Sequence, residues 1–561
     1  MKLPALAPSL LVAVLILAAL SPPTVAQDAA TRPSPASLRS RPSPRLDVGL
    51  ETADRPQPVF VRMTDQLLPG AGAFEAFCVA NATKKRSELR PRVRADLVTR
   101  SRKAREALAT TIAELERASE LRDVTWFWIV NGFAAQASAK ACNELATRKE
   151  VAFVYRQRGP GGHFEHRPAR RGRASAAAAE DRETEDRETK DRETKDRDLV
   201  RKVLADWHDD TREPLDLSGV TIPWNTKRVQ ADRVWTEEKA FGEGVVIAVN
   251  DTGLLPIPPL TAALWRNPKE ELDGKDDDLD GHVDDIFGWD FRADSPECLG
   301  DEERPHGSMC SGIIAGRPFG EPKTITGLAP RARIMVARGS GYLAALEYVV
   351  THDADILSLS FMWIGIDLGA SRGLYRTAYE HLTAAGVLAL GGAGNFGTTS
   401  PSGQQIALPK DIPCVLAAAG ILEDGRRPAA SSAGPCTWSG VPFFDDYPAS
   451  RPLAKPDVTG CFGGFPVWGR ATFPRAKVVW KADDATALIV GPQGNSFAGP
   501  HAAGVAALML SVNKELNPWE VKEILEATCM DLGAQGRDFE YGAGLLQALP
   551  AVRAARARVK F

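Results

Sequence analysis

The sequence predicts an α/β protein in which a parallel sheet is sandwiched by helices and preceded by a smaller α+β region. Two observations predict the sheet. From about Gly219 onward, short near-continuous apolar runs recur as GVVIAVN, ARIMVA, ADILSLSF, GVLALGG and CVLAAAG, and helical stretches such as LAALEYVVTHD and RGLYRTAYEHLTAAG separate them. A strand loses its polar alternation when both of its faces are buried, so such strands belong in a sheet covered by helices on either side. A third observation predicts the upstream region. There PVFVRM, a long charged helix over 92–120, WFWIVNGFAAQAS, SAKACNELATRK and VAFVY give strand, helix, two strands turning at Asn131-Gly132, helix and strand. That is the split βαβ, ferredoxin-like order, and Asn-Gly is the strongest short hairpin signal.

The 561 residues leave room for about three to five domains. Hydrophobic residues at 44% and charged residues at 25% exclude a fibrous or wholly disordered chain. With 69 basic against 72 acidic side chains, the net charge of −3 gives no reason to expect nucleic acid or an anionic membrane as a partner.

Residues 1–26 read as a signal peptide: Lys2, an apolar run over 10–20, then Thr24-Val25-Ala26 as a small-x-small cleavage site. The apolar run is too short to span a bilayer, which takes about 20 residues, and no second candidate span follows. Export is therefore expected, to the medium, the periplasm or the cell surface, with no membrane span in the mature chain. An oxidising setting permits disulfides among the eight cysteines, but no CxxC or Cys/His cluster has zinc spacing. Residues 27–57, rich in Pro, Ser and Arg, read as a linker, and 58–157 as the folded α+β domain. The repeat EDRETEDRETKDRETKDRD within 158–215 has no core-forming residues and reads as a solvated tether, helical in part where Glu and Lys or Arg fall near i, i+4, with a binding arm as the competing reading. The α/β domain takes 216–561.

In a parallel sheet, reactive groups gather at the carboxyl ends of strands and at the helix starts beyond them. GVVIAVNDTG ends a strand at Asp251, RPHGSMCSGIIAG opens a helix at His306, and GNSFAGPHAAGVAALML opens another at Ser496, with Pro500 near its first turn. Asp, His and Ser are what a serine hydrolase requires. A neutral hydroxyl is a poor nucleophile, imidazole takes its proton, and a carboxylate holds the imidazole in the right tautomer. A fourth segment, GGAGNFG, places the Asn395 amide at another strand end, where it can donate to an oxyanion.

The segments VVIAVNDTG, HGSMCSG, GGAGNFG and GNSFAGPHAAG, in the order Asp, His, Ser, resemble the signature blocks of the subtilisin-like serine proteases, the subtilases. GLAPRARI and KPDV resemble further landmarks, and the similarity runs over about residues 219–550. The resemblance implies a secreted endopeptidase that works through an acyl-enzyme without a catalytic cofactor, on polypeptide substrates. Asp251 would orient His306, His306 would act as general base and acid, Ser496 as nucleophile, and Asn395 with the Ser496 N–H would hold the oxyanion. Ser360, Phe361 and Met362, with Gly392 and Ala393, would line the substrate cleft. Residues 58–157 resemble the inhibitory propeptide, which makes the chain its own inhibitor until it is cut within 158–215.

Several positions depart from the family pattern. Ser308 and Asn495 stand where threonines are usual. Cys310 matches a cysteine that proteinase-K-like and kexin-like members carry beneath the histidine, which implies a buried free thiol. Met362 and Trp363 replace glycines of the segment that walls the primary specificity pocket, so a narrowed or reshaped cleft is expected. They also favour the alternative, a catalytically silent peptide-binding protein on the same fold. A dinucleotide-binding enzyme is excluded because no GxGxxG follows the first strand. Finally, Asp276, Asp278, Asp280 and Asp284 with Gly281 match a calcium loop, but Phe287 stands where its closing Glu belongs. An acidic surface turn is the competing reading.

Overall fold

A computed structural model of the chain describes residues 45–158, 197–210, 213–300, 305–400 and 403–558. All of them fall within one compact unit, Arg41–Phe561. The expected signal peptide, residues 1–26, and most of the DRET repeat lie outside the described residues.

The N-terminal region is built on four antiparallel strands, β1 (Gln57–Met63), β2 (Leu121–Phe127), β3 (Gly132–Ala137) and β4 (Val151–Arg156), in the order β2-β3-β1-β4. The hairpin turns where expected, with Asn131 at φ 37° leading into β3. Two features differ from expectation. The long helix is Arg86–Arg117, running through Pro91 in its second turn, and a helix at Ala73–Ala80 precedes it. The latter, AFEAFCVA, is eight residues long with one charge, Glu75, too short a stretch for a helical period to be read. The expected linker also ends earlier than 57. Asp47 N–H donates to Val154 O at 2.9 Å, Val154 N–H to Arg45 O at 2.9 Å, and Leu50 is buried in the core of this region.

Seven parallel strands form the main sheet: β5 (Val246–Asp251), β6 (Gly288–Asp290), β7 (Arg333–Arg338), β8 (Ile356–Leu359), β9 (Leu388–Gly392), β10 (Leu416–Ile421) and β11 (Val458–Cys461). Their order is β11-β10-β9-β8-β5-β7-β6. Every pairing is parallel, as the unbroken apolar runs require. The strand β5 has β7 on one side and β8 on the other, so the order reverses there and opens a crevice beyond its carboxyl end. Helix Asn495–Val512 is buried along almost its whole length, because its residues are apolar or small on every side. Pro500 sits in its second turn. A three-stranded antiparallel sheet, β12 (Val467–Gly469), β13 (Lys477–Lys481) and β14 (Ala487–Val490), completes the fold.

The stretch expected as a tether, 158–215, is in part structured. Residues 197–206 are helical, and Val200 and Val203 pack into the core of the α/β domain. Trp207 Nε1 donates to Leu264 O at 2.9 Å, and Asp210 is buried against Arg317 (2.9 Å), Arg331 (2.6 Å) and Arg333 (3.1 Å). Charge-based reading missed this because the apolar anchors follow the repeat instead of interrupting it.

The N-terminal region docks on two helices of the α/β domain, Leu343–Thr351 and Ser371–Ala384. Arg86, Arg90 and Arg94 recur every four residues on one face of the long helix. Arg90 donates to Asp353 O at 3.0 Å and Arg94 to Thr351 O at 3.2 Å, while Arg86 pairs with Asp355. Cations at a helix C-terminus meet its unpaired carbonyls and the negative end of its dipole. The loop before β3 grips the same helices: Ile129 N–H donates to Glu347 at 2.9 Å, and His381 bridges Ile129 O (2.6 Å) and Leu68 N–H (3.1 Å).

Candidate active site

Three of the four predicted catalytic positions sit at the ends of elements that meet over the crevice. Asp251 is the last residue of β5 and is buried. His306 opens helix His306–Ala315, and Gly307 behind it is required. A Cβ there would lie 2.3 Å from Gly253 O, so only glycine lets this helix approach the end of β5. His306 Nδ1 is 2.7 Å from Asp251 Oδ1, which also accepts from Thr252 N–H at 2.8 Å. These contacts assign the Nδ1–H tautomer and leave Nε2 as the base.

Ser496 stands in the first turn of helix Asn495–Val512, half-buried, with its N–H among those that lack a partner within the helix. A Cβ on Gly392 would come 2.0 Å from Asn495 O, so that glycine allows the helix start to lie against the end of β9. The Ser496 carbonyl accepts from Ser360 Oγ at 3.2 Å and lies 3.4 Å from Cys310 Sγ, and Cys310 Sγ is 3.9 Å from His306 Nδ1. The His306 ring stacks on Phe497, centroids 6.1 Å apart. The helix start that bears Ser496 is thus held beside the His306–Asp251 pair. Asn395 follows β9, exposed, and its Oδ1 accepts from Asn495 N–H at 2.8 Å. That bond fixes the amide with its Nδ2 donor beside Gly494.

The substitutions noted in the sequence are accommodated. Ser308 Oγ accepts from Leu255 N–H at 2.8 Å, and Asn495 Nδ2 donates to Gly394 O at 2.6 Å and to Ser431 Oγ at 2.9 Å. Cys310 is a buried free thiol, and burial pushes its pKa up, so it stays protonated and donates to the Ser496 carbonyl. The other seven cysteines are also free.

Burial opposes a charge on both members of the Asp–His pair, but their mutual attraction wins. The Asp251 carboxyl is held below its ordinary value by His306 and Thr252, and the His306 imidazolium is raised well above the ordinary histidine range by Asp251.

In the substrate segment, Ser360, Phe361 and Met362 follow β8 and lie beside Gly392 and Ala393 at the end of β9. The expected cation ligands divide. Oxygens of Asp276 and Asp278 converge with Glu270, and those of Asp278 and Asp280 with His352, each group within 4.8 Å. Asp284 belongs to neither: it takes Gly274 N–H at 2.9 Å and Arg197 at 3.2 Å. Both oxygens of Asp280 meet histidines, His282 at 2.8 Å and His352 at 2.7 Å. The donors Glu270, Asp276 and Asp278 fit a hard, oxygen-seeking cation. Asp278 Oδ1 is buried without a hydrogen bond, and burial pushes up the Glu270 carboxyl. Sequence reading missed Glu270 because it lies outside the loop motif, brought in by the backbone bonds that it accepts from Asp277 (2.7 Å) and Asp278 (3.1 Å).

A parallel sheet with the His306–Asp251 pair at its carboxyl edge, and the helix start that bears Ser496 beside it, has the architecture of a serine peptidase of the subtilisin type. The chain belongs to the subtilase family, whose model matches residues 242–544. It is similar to Fervidolysin from Fervidobacterium pennivorans, 26% identical over 338 residues, 55% of this chain and 41% of that protein. Over 323 residues it is 26% identical to thermitase from Thermoactinomyces vulgaris, 56% of this chain and 90% of thermitase. Serine protease AprX from Bacillus subtilis is 27% identical over 302 residues, 51% of this chain and 61% of AprX. The chain thus spans less than half of Fervidolysin. Among the described residues no helix is long and apolar enough to cross a membrane.

Proposed function

We propose that the protein is an exported serine endopeptidase made as an autoinhibited zymogen. The observation that carries this reading is the 2.7 Å bond from His306 to Asp251 beside the helix start that bears Ser496. In the reaction, His306 Nε2 takes the Ser496 hydroxyl proton as Oγ bonds to the substrate carbonyl carbon. The carbonyl oxygen becomes an oxyanion facing Asn395 Nδ2 and the Ser496 N–H. His306 then gives the proton to the leaving amine, the C–N bond breaks and the acyl-enzyme remains. Water repeats the sequence, with His306 as base, and releases the acid. Asp251 stays ionised and stabilises the imidazolium throughout.

Residues 45–158 act as the inhibitory propeptide, held by the arginine ladder and by the Ile129 grip. Maturation cuts the chain upstream of residue 197, because removing 197–210 would strand Arg317, Arg331 and Arg333 without Asp210. Active protein is expected to digest unstructured casein and to begin, by N-terminal sequencing, between residues 159 and 197. Active protein that still carries residues 45–158 covalently contradicts the zymogen.

Glu270, Asp276 and Asp278 would hold a structural calcium ion, which would cancel the repulsion of these carboxylates and tie the acidic loop to the body of the domain. EDTA is then expected to lower the melting temperature, and added calcium to restore it. An unchanged Tm contradicts the site.

A further inference from the structure

We propose that Met362 closes the pocket for the side chain of the residue whose carbonyl is attacked, so that the enzyme cuts after glycine and alanine rather than after large residues. The inference rests on the endopeptidase reading and names its substrate class. At the tetrahedral carbon on Ser496 Oγ, the oxygen faces Asn395 and the leaving nitrogen must face His306 to receive its proton. The remaining substituent, the Cα of the acyl residue, then projects over the end of β9 and the facing segment Ser360–Met362. Ser360 Oγ bonds the Ser496 carbonyl at 3.2 Å, which sets that segment against the nucleophile.

Met362 fills this direction. A Cβ built on Gly394, next to Asn395, would come 2.4 Å from Met362 Cε, and Met362 Sδ accepts from Ala407 N–H at 3.0 Å. The thioether therefore spans the space between the oxyanion strand and the Ala407 loop. Its backbone is fastened on both sides. Trp363 N–H donates to Leu408 O at 2.9 Å, and the buried Lys410 Nζ donates to Phe361 O. The Trp363 ring packs on Tyr375 at 4.4 Å and against Gly341, where a Cβ would lie 2.1 Å from Trp363 Cζ2. The segment is thus locked to its surroundings, and a large acyl side chain meets the methionine. Glycine and alanine end before it.

The test is a peptide series that differs only in the acyl residue, Gly, Ala, Leu or Phe, given to the mature enzyme. The alanine peptide is expected to exceed the phenylalanine peptide in kcat/KM by ~100-fold or more, since steric exclusion outweighs the tens-fold effect of one methylene. Met362→Gly and Met362→Ala are expected to raise the Phe-to-Ala ratio by at least ~10-fold. If neither variant folds, the wild-type ratio decides, together with the rates at which peptidyl phosphonates bearing Ala or Phe side chains label Ser496. A wild-type enzyme that is labelled at Ser496 yet cleaves both peptides equally overturns the closed pocket alone. An enzyme whose Ser496 no fluorophosphonate labels overturns the endopeptidase reading and, with it, this inference.

Discussion

Ser496→Ala is expected to lower kcat by about 10⁶-fold while leaving the melting temperature near that of the parent, because the hydroxyl serves bond formation and not packing. His306→Ala is expected to cost about as much, and the double variant little more, since neither group activates the substrate without the other. Asp251→Asn loses about 10⁴-fold, as the amide favours the wrong tautomer of His306. Asn395→Ala, which removes one oxyanion donor, slows turnover by roughly 10²–10³-fold. The pH profile follows from the pair. The base must be neutral, and Asp251 holds the His306 imidazolium well above the ordinary 6.5, so activity is lost as pH falls through that raised value. The inflection of kcat/KM on the acid side is expected above 6.5, and in Asp251→Asn it moves down, because burial still opposes the charge while the attraction of Asp251 is gone. Steady-state kinetics on a peptide amide, over a pH series, checks both.

Asp210→Ala is expected to produce the largest loss of stability, about 3–5 kcal/mol, because it leaves Arg317, Arg331 and Arg333 buried together without their shared carboxylate. Urea unfolding of the mature enzyme reads it. Burial alone would raise the Asp210 carboxyl, but the three guanidinium groups hold it below the ordinary 3.8. A depressed carboxylate contributes stability above its unfolded value and loses it as pH falls through the folded one. The wild-type enzyme is therefore expected to lose this contribution below about pH 3.8, and Asp210→Ala to lack that acid transition. The result matters for maturation as well. If residues 197–210 belong to the mature body, a chain truncated after Asp210 is as unstable as the Ala variant.

Most of the α/β domain was legible because buried parallel strands advertise themselves. The five apolar runs named from the sequence became β5, β7, β8, β9 and β10. The short β6, three residues long, did not, since Gly288–Asp290 carries too little apolar length to distinguish it from a turn. The candidate site residues stood out for a chemical reason: Asp251, His306 and Ser496 stand at element termini and Asn395 in the turn that follows β9, each marked by neighbouring glycines. What escaped was long-range and electrostatic. Nothing near Asp210 signals that three arginines more than 100 residues downstream will surround it. Likewise Glu270 lies outside the aspartate run it joins, and Asp284 lies inside that run yet turns to Gly274 and Arg197. The Met362 side chain shows the same limit. Its bulk was visible in the sequence, but its lodging between Gly394 and Ala407 depends on a loop 45 residues away.

The central claim is that Ser496 is the nucleophile, activated by His306, and chemical trapping tests it most directly. Mature enzyme treated with a fluorophosphonate, then digested and mapped by mass spectrometry, is expected to carry a single adduct on the Ser496 hydroxyl. Labelling is expected to vanish in Ser496→Ala and to slow sharply in His306→Ala. An adduct on another residue, or labelling of Ser496 that is indifferent to His306, contradicts the account.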